Sequence, residues 1–212
     1  MSKPSLRPSR ARGEAPRVEP TTGVREATPG VPQLDPPTIG VRGAVDALVQ
    51  VALVDLFQAY GVSVAPLPRS AFRRLTTVPD VTAAISFASS ARSSRRGQLT
   101  LSIPKPVLEQ MTDDPARPLR HSDWARELTN QLIGRIKNRL LQFSIQLATG
   151  LPSNLDPKRL EALINGSTAL RVYAGRTLRG QVLATLEGMP QEAELVYLGP
   201  GCVAAEGDAI LF

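Results

Sequence analysis

The sequence of 212 residues contains one cysteine and one histidine. Cys202 has no second thiol with which to form a bond, so an internal disulfide framework is excluded, as is typical of proteins from a reducing compartment. Because His121 is the single imidazole, a zinc site built from histidine and cysteine and a Cys–His nucleophile pair are also excluded. Cys202 is therefore predicted to have a structural role, and no metal site is expected.

Long hydrophobic runs are also absent. The most apolar stretch, residues 44–60, is interrupted by four polar or charged residues and is therefore too polar to span a membrane. The N-terminal segment lacks the apolar stretch that a secretory signal needs. We expect a cytoplasmic protein with no membrane insertion.

Aromatic residues make up only 4% of the chain, whereas the formal net charge is +6. A basic protein can bind nucleic acid. However, the basic segment "GRIKNRL" projects Arg135, Lys137 and Arg139 at well-separated angles of a helix. It also interleaves no aromatic side chains on which bases would stack. No nucleic-acid partner is expected.

Residues 1–38 combine Pro, Gly, Arg, Ser and Glu with almost no large apolar residues, and they carry six basic and four acidic groups. Such a segment cannot bury enough apolar surface to offset the entropy lost on ordering. We predict a disordered Pro/Arg-rich tail followed by a folded domain over residues 39–212. A tethering arm for a partner is the alternative interpretation of the tail.

Local patterns in the first half of the domain predict a helix followed by a β-rich region. Apolar residues recur at helical spacing from residue 45 to residue 60, and Gly61 is a plausible C-cap. The segments "VTAAISFASSA" and "QLTLSIP", separated by the turn-like "RSSRRG", predict a hairpin. The segment "GVSVAPL" predicts an edge strand, because Pro66 and Pro68 cannot donate to a strand ladder. A short helix is predicted at "KPVLEQMTDD".

The second half of the domain predicts a long helix and further strands. The long helix should run from about residue 122 to residue 147, with Gly150 and Pro152 as stop signals. A short helix is predicted at "DPKRLEALI". Four strands are predicted to follow, at "ALRVYAG", "GQVLATLE", "AELVYLG" and "DAILF". The fold class is therefore α+β, with a largely antiparallel sheet packed against two long helices.

The long helix has two distinct faces when it is projected at about 100° per residue. Its apolar stripe, predicted to face the sheet, consists of Trp124, Leu128, Leu132, Ile136, Leu140, Phe143 and Leu147. Asp123, Glu127, Asn130 and Gly134 fall together on the opposite face, because residues three, four and seven apart are neighbours on a helix.

This polar face has two interpretations. It is a solvated face, on which Asp123 and Glu127 suit the dipole of the early helical turns, or it is a docking surface. Gly134 favours docking, because a mid-helix glycine costs roughly 1 kcal/mol relative to alanine and no cap explains it here. The missing side chain would let the backbone of another protein approach closely.

These residues resemble the signature of the CheC/CheX/FliY family of chemotaxis phosphatases. That signature is Asp or Ser, three residues, Glu, two residues, Asn, and then Pro a little over twenty residues on. In this chain Asp123, Glu127 and Asn130 are followed, after 21 intervening residues, by Pro152. The segment "ELTNQLIG" also matches the Glu-Leu-Thr-Asn and the later Gly that are common in the family. A single copy of the motif resembles CheX-like members, whereas CheC and FliY usually carry two.

The sequence departs from the family pattern in three places. Arg135 stands where an Asn often follows the family's Gly, the Arg-rich turn at residues 92–96 is unfamiliar, and the N-terminal tail is extra. These departures bear on the identity of the partner more than on the fold.

The resemblance implies a CheX-like phosphatase domain that hydrolyses the aspartyl phosphate of a CheY-like response regulator. Asn130 would orient the attacking water, and Glu127 would pair with the active-site Lys of the regulator. Asp123 would support the start of the helix, and Pro152 would shape the turn that ends it. Mg²⁺ is expected on the phosphorylated regulator, and no cofactor is expected on this chain. The resemblance also implies a homodimer that pairs through sheet edges.

A non-catalytic member of the same fold is the alternative, namely an adaptor that binds a response regulator or a motor component. The presence of both Glu127 and Asn130 argues against it, because an adaptor has no need of an amide that positions water.

Overall fold

The structure is a computed structural model, and it describes residues 43–68, 79–90, 95–111, 120–166, 169–191 and 195–199. The predicted tail at residues 1–38, Cys202 and the predicted strand "DAILF" lie outside the described residues, as does most of the Arg-rich turn. For these segments the predictions stay predictions.

The described elements follow the predicted order of a leading helix, a hairpin, a long helix and later strands. The helices are α1 (Ala44–Gln58), α2 (Lys105–Gln110), α3 (His121–Leu140) and α4 (Pro157–Gly166). The strands are β1 (Ala65–Pro66), β2 (Val81–Ser89), β3 (Arg96–Ile103), β4 (Leu147–Thr149), β5 (Ser153–Asn154), β6 (Arg171–Thr177) and β7 (Gly180–Glu187).

The strands form one seven-stranded antiparallel sheet in the order β1-β6-β7-β3-β2-β4, with β5 also paired to β2. The predicted hairpin is the β2–β3 pair, whose register runs from Val81 opposite Ile103 to Ala88 opposite Arg96. The predicted edge strand is β1, which contains Pro66 and lies at one end of the sheet. The sequence-based fold class is confirmed.

Helices α1 and α3 cover one face of the sheet. Alternate residues of β2 and β3 point into the main core beneath them, because successive side chains of a strand face opposite sides. Those core residues are Ala83, Ile85, Phe87, Leu99, Leu101 and Ile103. Leu160 of α4 packs with Ala174 and Leu183 in a second, smaller cluster. Arg139 of α3 also forms an ion pair with Asp55 of α1.

Gly61 ends α1 as its position in the sequence predicts. Its φ is +71°, a left-handed conformation that glycine adopts without steric cost. The Val62 N–H donates to the Phe57 carbonyl oxygen at 3.0 Å, and the Gly61 N–H donates to the Gln58 carbonyl oxygen at 2.9 Å. This pair of hydrogen bonds satisfies carbonyls that the helix end would otherwise leave without donors.

The predicted end of the long helix is wrong. Helix α3 ends at Leu140, and a 3₁₀ turn follows over Leu141–Phe143. Ser144 then adopts a left-handed φ of 58°, which breaks the helical path. From residue 145 to residue 148 buried and exposed residues alternate, which is the pattern of a strand. Phe143 and Leu147 therefore do not belong to the helical stripe.

The predicted strand "AELVYLG" is also wrong where the structure describes it. Residues 195–199 form no strand. The Leu198 N–H instead donates to the Gln142 carbonyl oxygen at 2.7 Å, and the Tyr197 ring packs on Phe143. Residues 195–199 thus contact the 3₁₀ turn that follows α3 and do not pair in the sheet.

Candidate functional site

The buried face of α3 fixes the direction in which its polar face points. Leu128, Leu132, Ile136 and Leu140 are fully buried and lie in the main core. Helix α3 contacts β2 and β3 beneath it and α1 beside it. Because packing on three elements leaves the helix no freedom to rotate, its opposite face is held outward.

The sequence-predicted residues of α3 lie together on that outward face. Asp123, Glu127 and Asn130 are exposed, and Gly134 is half-buried. Their spacing of four, three and four residues keeps them within one stripe of about 60° on an ideal helix. The structure therefore presents a carboxylate and a carboxamide side by side on a rigid element.

Glu127 is part of a chain of hydrogen bonds. The Gln131 Nε2 donates to Glu127 Oε1 at 2.9 Å, one helical turn along α3. The Tyr60 hydroxyl in turn donates to Gln131 Oε1 at 2.9 Å. Tyr60 follows the end of α1, and its ring makes an edge-to-face contact with Trp124 at a centroid distance of 5.5 Å. Glu127 is therefore connected, through Gln131, to the turn that follows α1.

Gln131 and Tyr60 were not among the sequence-predicted site residues. The spacing of Glu127 and Gln131 is a signal that was available, because residues four apart on a helix can form a hydrogen bond. Tyr60 gave no such signal, because in the sequence it only continues the apolar period of α1, and its ring does pack against the main core.

Asn130 is exposed, and its carboxamide has no hydrogen-bond partner among the residues that the structure describes. The neighbouring side chain on this face is the Glu127 carboxylate, which accepts a hydrogen bond from Gln131 of the same helix. A carboxamide can both donate to and accept from a water molecule without adding charge. The Asn130 side chain has the chemistry to orient a water near a negatively charged group.

Asp123 lies in the first turn of α3 and pairs with Arg126, whose Nη2 is 2.6 Å from Asp123 Oδ1. Both side chains are nearly half exposed, so the ion pair contributes little to stability. A carboxylate in the first turn also interacts favourably with the helix dipole. This position suits the support of the helix start that the resemblance implies for Asp123.

Gly134 has no packing reason within the described chain to be glycine. A Cβ added there would meet no atom within 4 Å, and Gly134 is not among the glycines with positive φ. The cost of a mid-helix glycine is therefore not offset by packing or by backbone conformation here.

Pro152 does not end the long helix. It lies between β4 and β5, twelve positions beyond Leu140, and both of these strands pair with β2. The predicted role of Pro152 in the turn at the helix end is wrong for this reason. Pro152 instead directly precedes β5, and β5 contacts α3. The Gly150 N–H donates to the Ser86 carbonyl oxygen at 2.8 Å and holds this loop on β2.

In the described part of the chain, no three His, Cys, Asp or Glu side chains are grouped so that they could hold a metal ion. No helix in the described ranges is both long and apolar enough to cross a membrane.

Comparison by sequence found no matching family model and no matching curated protein. Comparison of the structure with solved structures does find similar chains. One is the chemotaxis protein CheX from Vibrio vulnificus, with a TM-score of 0.53 and 15% identity over 70% of this chain and 98% of that one. Another is a CheC-like superfamily protein from a Shewanella species, with a TM-score of 0.51 and 13% identity over 69% of this chain and 97% of that one.

The chain has the fold of the CheX and CheC-like chemotaxis proteins. The resemblance inferred from the motif helix is therefore confirmed at the level of fold. In this CheX fold the motif residues Glu127 and Asn130 lie on the outward face of α3. The low sequence identity leaves the activity of the chain to be inferred from these residues.

Proposed function

We propose that this protein is a phosphatase that hydrolyses the aspartyl phosphate of a CheY-like response regulator. One observation carries the proposal. Glu127 and Asn130 lie one turn apart on the exposed face of a helix whose other face is fixed in the core. On a CheX fold, this placement holds both side chains on a rigid, exposed surface, from which they can reach the active site of another protein.

Little chemistry is required of the phosphatase itself. An acyl phosphate has a good leaving group, and the regulator supplies Mg²⁺ and a Lys that neutralise the charge on the phosphoryl group. The water oxygen attacks phosphorus as the bond to the aspartyl oxygen breaks, and the aspartate carboxylate leaves with the electron pair. The remaining requirement is a water held in line with that bond. Asn130 meets this requirement in the proposal.

Glu127 sets the register of docking in the proposal. Its carboxylate forms a charge-assisted hydrogen bond with the active-site Lys of the regulator, which contributes about 1.5–3 kcal/mol. Asp123 supports the helix start, and Gly134 allows the regulator backbone to approach the helix. The metal ion belongs to the regulator, and the chain contributes no cofactor. Such a partner would place the protein in the cytoplasm.

The test is single-turnover decay of the phosphorylated regulator. Asn130→Ala is expected to slow the accelerated decay on the order of 10²–10³-fold, by analogy with removal of one transition-state donor, while regulator binding is nearly unchanged. Glu127→Ala is expected to weaken binding as well as rate. Both side chains are exposed, so neither change should unfold the protein.

Matched controls lie on α4. Asn165→Ala and Glu161→Ala also remove an exposed amide and an exposed carboxylate, and both should leave the decay rate unchanged. An Asn130→Ala variant as active as wild type would contradict the proposed mechanism. A wild-type protein that binds the regulator without accelerating decay would instead identify the non-catalytic adaptor.

A further inference from the structure

A row of hydrogen bonds runs from the turn after α1 to the outward face of α3, which carries Glu127 and Asn130. The Tyr60 hydroxyl donates to Gln131 Oε1, and Gln131 Nε2 donates to Glu127 Oε1, both at 2.9 Å. Tyr60 and Gln131 are separated by 71 positions in the sequence, so this contact exists only in the folded protein.

The first donor of the row is itself held in place. The Tyr60 N–H donates to the Phe57 carbonyl oxygen at 3.0 Å, and the next residue, Gly61, makes the left-handed turn that ends α1. The Tyr60 ring contacts the Trp124 ring, and both rings pack against the main core. The hydroxyl of Tyr60 therefore has a fixed position relative to α3.

The chemistry of the three groups fixes the orientation of the Gln131 amide. The ionised carboxylate of Glu127 only accepts hydrogen bonds, so the NH₂ group of Gln131 must face it. The amide oxygen then faces Tyr60, whose hydroxyl can donate to it. If the amide turned over, its oxygen would meet the carboxylate and both groups would lose a hydrogen bond. The row thus holds Glu127 through one oxygen, Oε1.

We propose that Tyr60 and Gln131 are positioning residues that hold the Glu127 carboxylate ready for the Lys of the regulator. This inference rests on the proposed function, and it adds the residues that make the site rigid. An exposed glutamate otherwise samples many rotamers and must lose that freedom when it binds. Because Oε1 accepts a hydrogen bond from Gln131, the Glu127 side chain has fewer accessible rotamers. Its other oxygen, Oε2, is left for the Lys of the regulator.

The main experiment compares Tyr60→Phe and Gln131→Met with wild type. Each change breaks the row without altering Glu127. The Kd for a response regulator held active by a stable phosphate mimic is expected to rise about threefold to tenfold, as loss of one ordering hydrogen bond implies. The kcat for the phosphorylated regulator at saturation should change less than about twofold, because Asn130 is untouched. A fall in kcat with unchanged Kd would overturn the proposal.

Tyr173→Phe is the matched control. Like Tyr60→Phe, it removes a tyrosine hydroxyl that donates a hydrogen bond, in this case to Asp46 Oδ1 at 2.7 Å. Tyr173 lies on β6, and its hydrogen bond does not involve α3. This variant is expected to leave the Kd unchanged. If it weakens binding as much as Tyr60→Phe does, the effect is one of general stability and the proposal fails.

A double-mutant cycle separates positioning from a structural role. In a Glu127→Ala background Tyr60→Phe should cause no further rise in Kd, because the carboxylate that the hydrogen bonds position is then absent. A structural role of Tyr60 would instead add its full effect in both backgrounds.

A readout without the regulator separates this proposal from the proposed function. Tyr60→Phe is expected to shift the NMR resonances of the Gln131 side-chain amide, and Tyr173→Phe is expected to leave them in place. Unmoved Gln131 resonances in Tyr60→Phe would overturn the positioning role, whatever the phosphatase assay shows. Shifted resonances in a protein that binds no phosphorylated regulator would overturn the proposed function while the row itself stands.

Discussion

At the scale of the residue, the outward face of α3 combines exposed carboxylates and a carboxamide with one position where a side chain is absent. That Glu127 and Asn130 share a face was predicted from spacing alone, because a helical period places them together wherever the helix packs. Their selection as site residues came from the family resemblance. Gly134 was predicted to lie on the same face, and the structure adds that no neighbouring atom requires a glycine there.

Replacement of this glycine separates stability from docking. Gly134→Ala is expected to raise the free energy of unfolding by about 1 kcal/mol, because alanine is the better helix former and its Cβ meets no atom within 4 Å. The same methyl group would stand on the docking face and is expected to weaken regulator binding. Urea unfolding and the Kd for the phosphate-mimic regulator test the two effects.

Gly166→Ala on α4 is the control for this pair of measurements, because its added Cβ also meets nothing and α4 carries no motif residue. It should leave the Kd unchanged. A stabilised Gly134→Ala variant with wild-type affinity would remove Gly134 from the docking face.

At the scale of the element, one polar cluster joins α1 to the sheet. Asp46 Oδ1 on α1 accepts from the Tyr173 hydroxyl at 2.7 Å and from Arg171 Nη1 at 3.1 Å, both on β6. Burial raises the pKa of Tyr173 well above its usual value, and the hydrogen bond to Asp46 raises it further.

This cluster predicts a pH dependence of stability. The pKa of Tyr173 is raised in the folded state, so deprotonation favours the unfolded chain, whose tyrosine ionises near pH 10. The contribution is fully present below that pH and is lost as the pH rises above it. The free energy of unfolding should therefore fall above about pH 10, and Tyr173→Phe should reduce this fall.

Denaturant unfolding between about pH 8 and pH 11 measures both slopes. The difference between wild type and Tyr173→Phe isolates this tyrosine, because all other titrating groups are common to the two proteins. Identical slopes would contradict the prediction.

Also at this scale, the boundary of α3 shows where local patterns misled. The apolar residues after Leu140 were fitted to a helical period, although residues 145–148 alternate with a period of two. Short apolar stretches fit both periods, and pairing with β2 selected the strand.

At the scale of the whole molecule, the sheet has two different edges. One edge carries β1, in which Pro66 removes a donor, and the other carries β4 and β5 on β2. Ala148, Thr149, Ser153 and Asn154 on the second edge are exposed. Exposed edges invite pairing with another chain. We propose that the protein forms a homodimer through the β4–β5 edge.

Sedimentation at micromolar concentration tests the dimer. Wild type is expected to sediment with twice the mass of the chain. Thr149→Lys is expected to sediment as a monomer, because it adds a positive charge to the pairing edge of each copy. Ala65→Lys, at an exposed position on the opposite edge, should remain dimeric. A monomeric wild-type mass would disprove the dimer.

The sequence by itself determined the elements whose signals are local. The period of α1 and its Gly61 cap, the β2–β3 hairpin, and the outward placement of Glu127 and Asn130 all follow from residues close together in the chain. Each could be predicted because a helical or strand period, once begun, dictates which side chains share a face.

Only the tertiary structure decided the features that depend on distant residues. These features are the contact of Tyr60 with Gln131 and the strand order of the sheet. They also include the end of α3 at Leu140 and the position of Pro152 in the loop between β4 and β5. These outcomes result from competition among contacts far apart in the sequence, such as the pairing of residues 147–149 with β2. A local period contains no information about which distant partner wins that competition, so the hydrogen bonds that position Glu127 could be seen only in the folded chain.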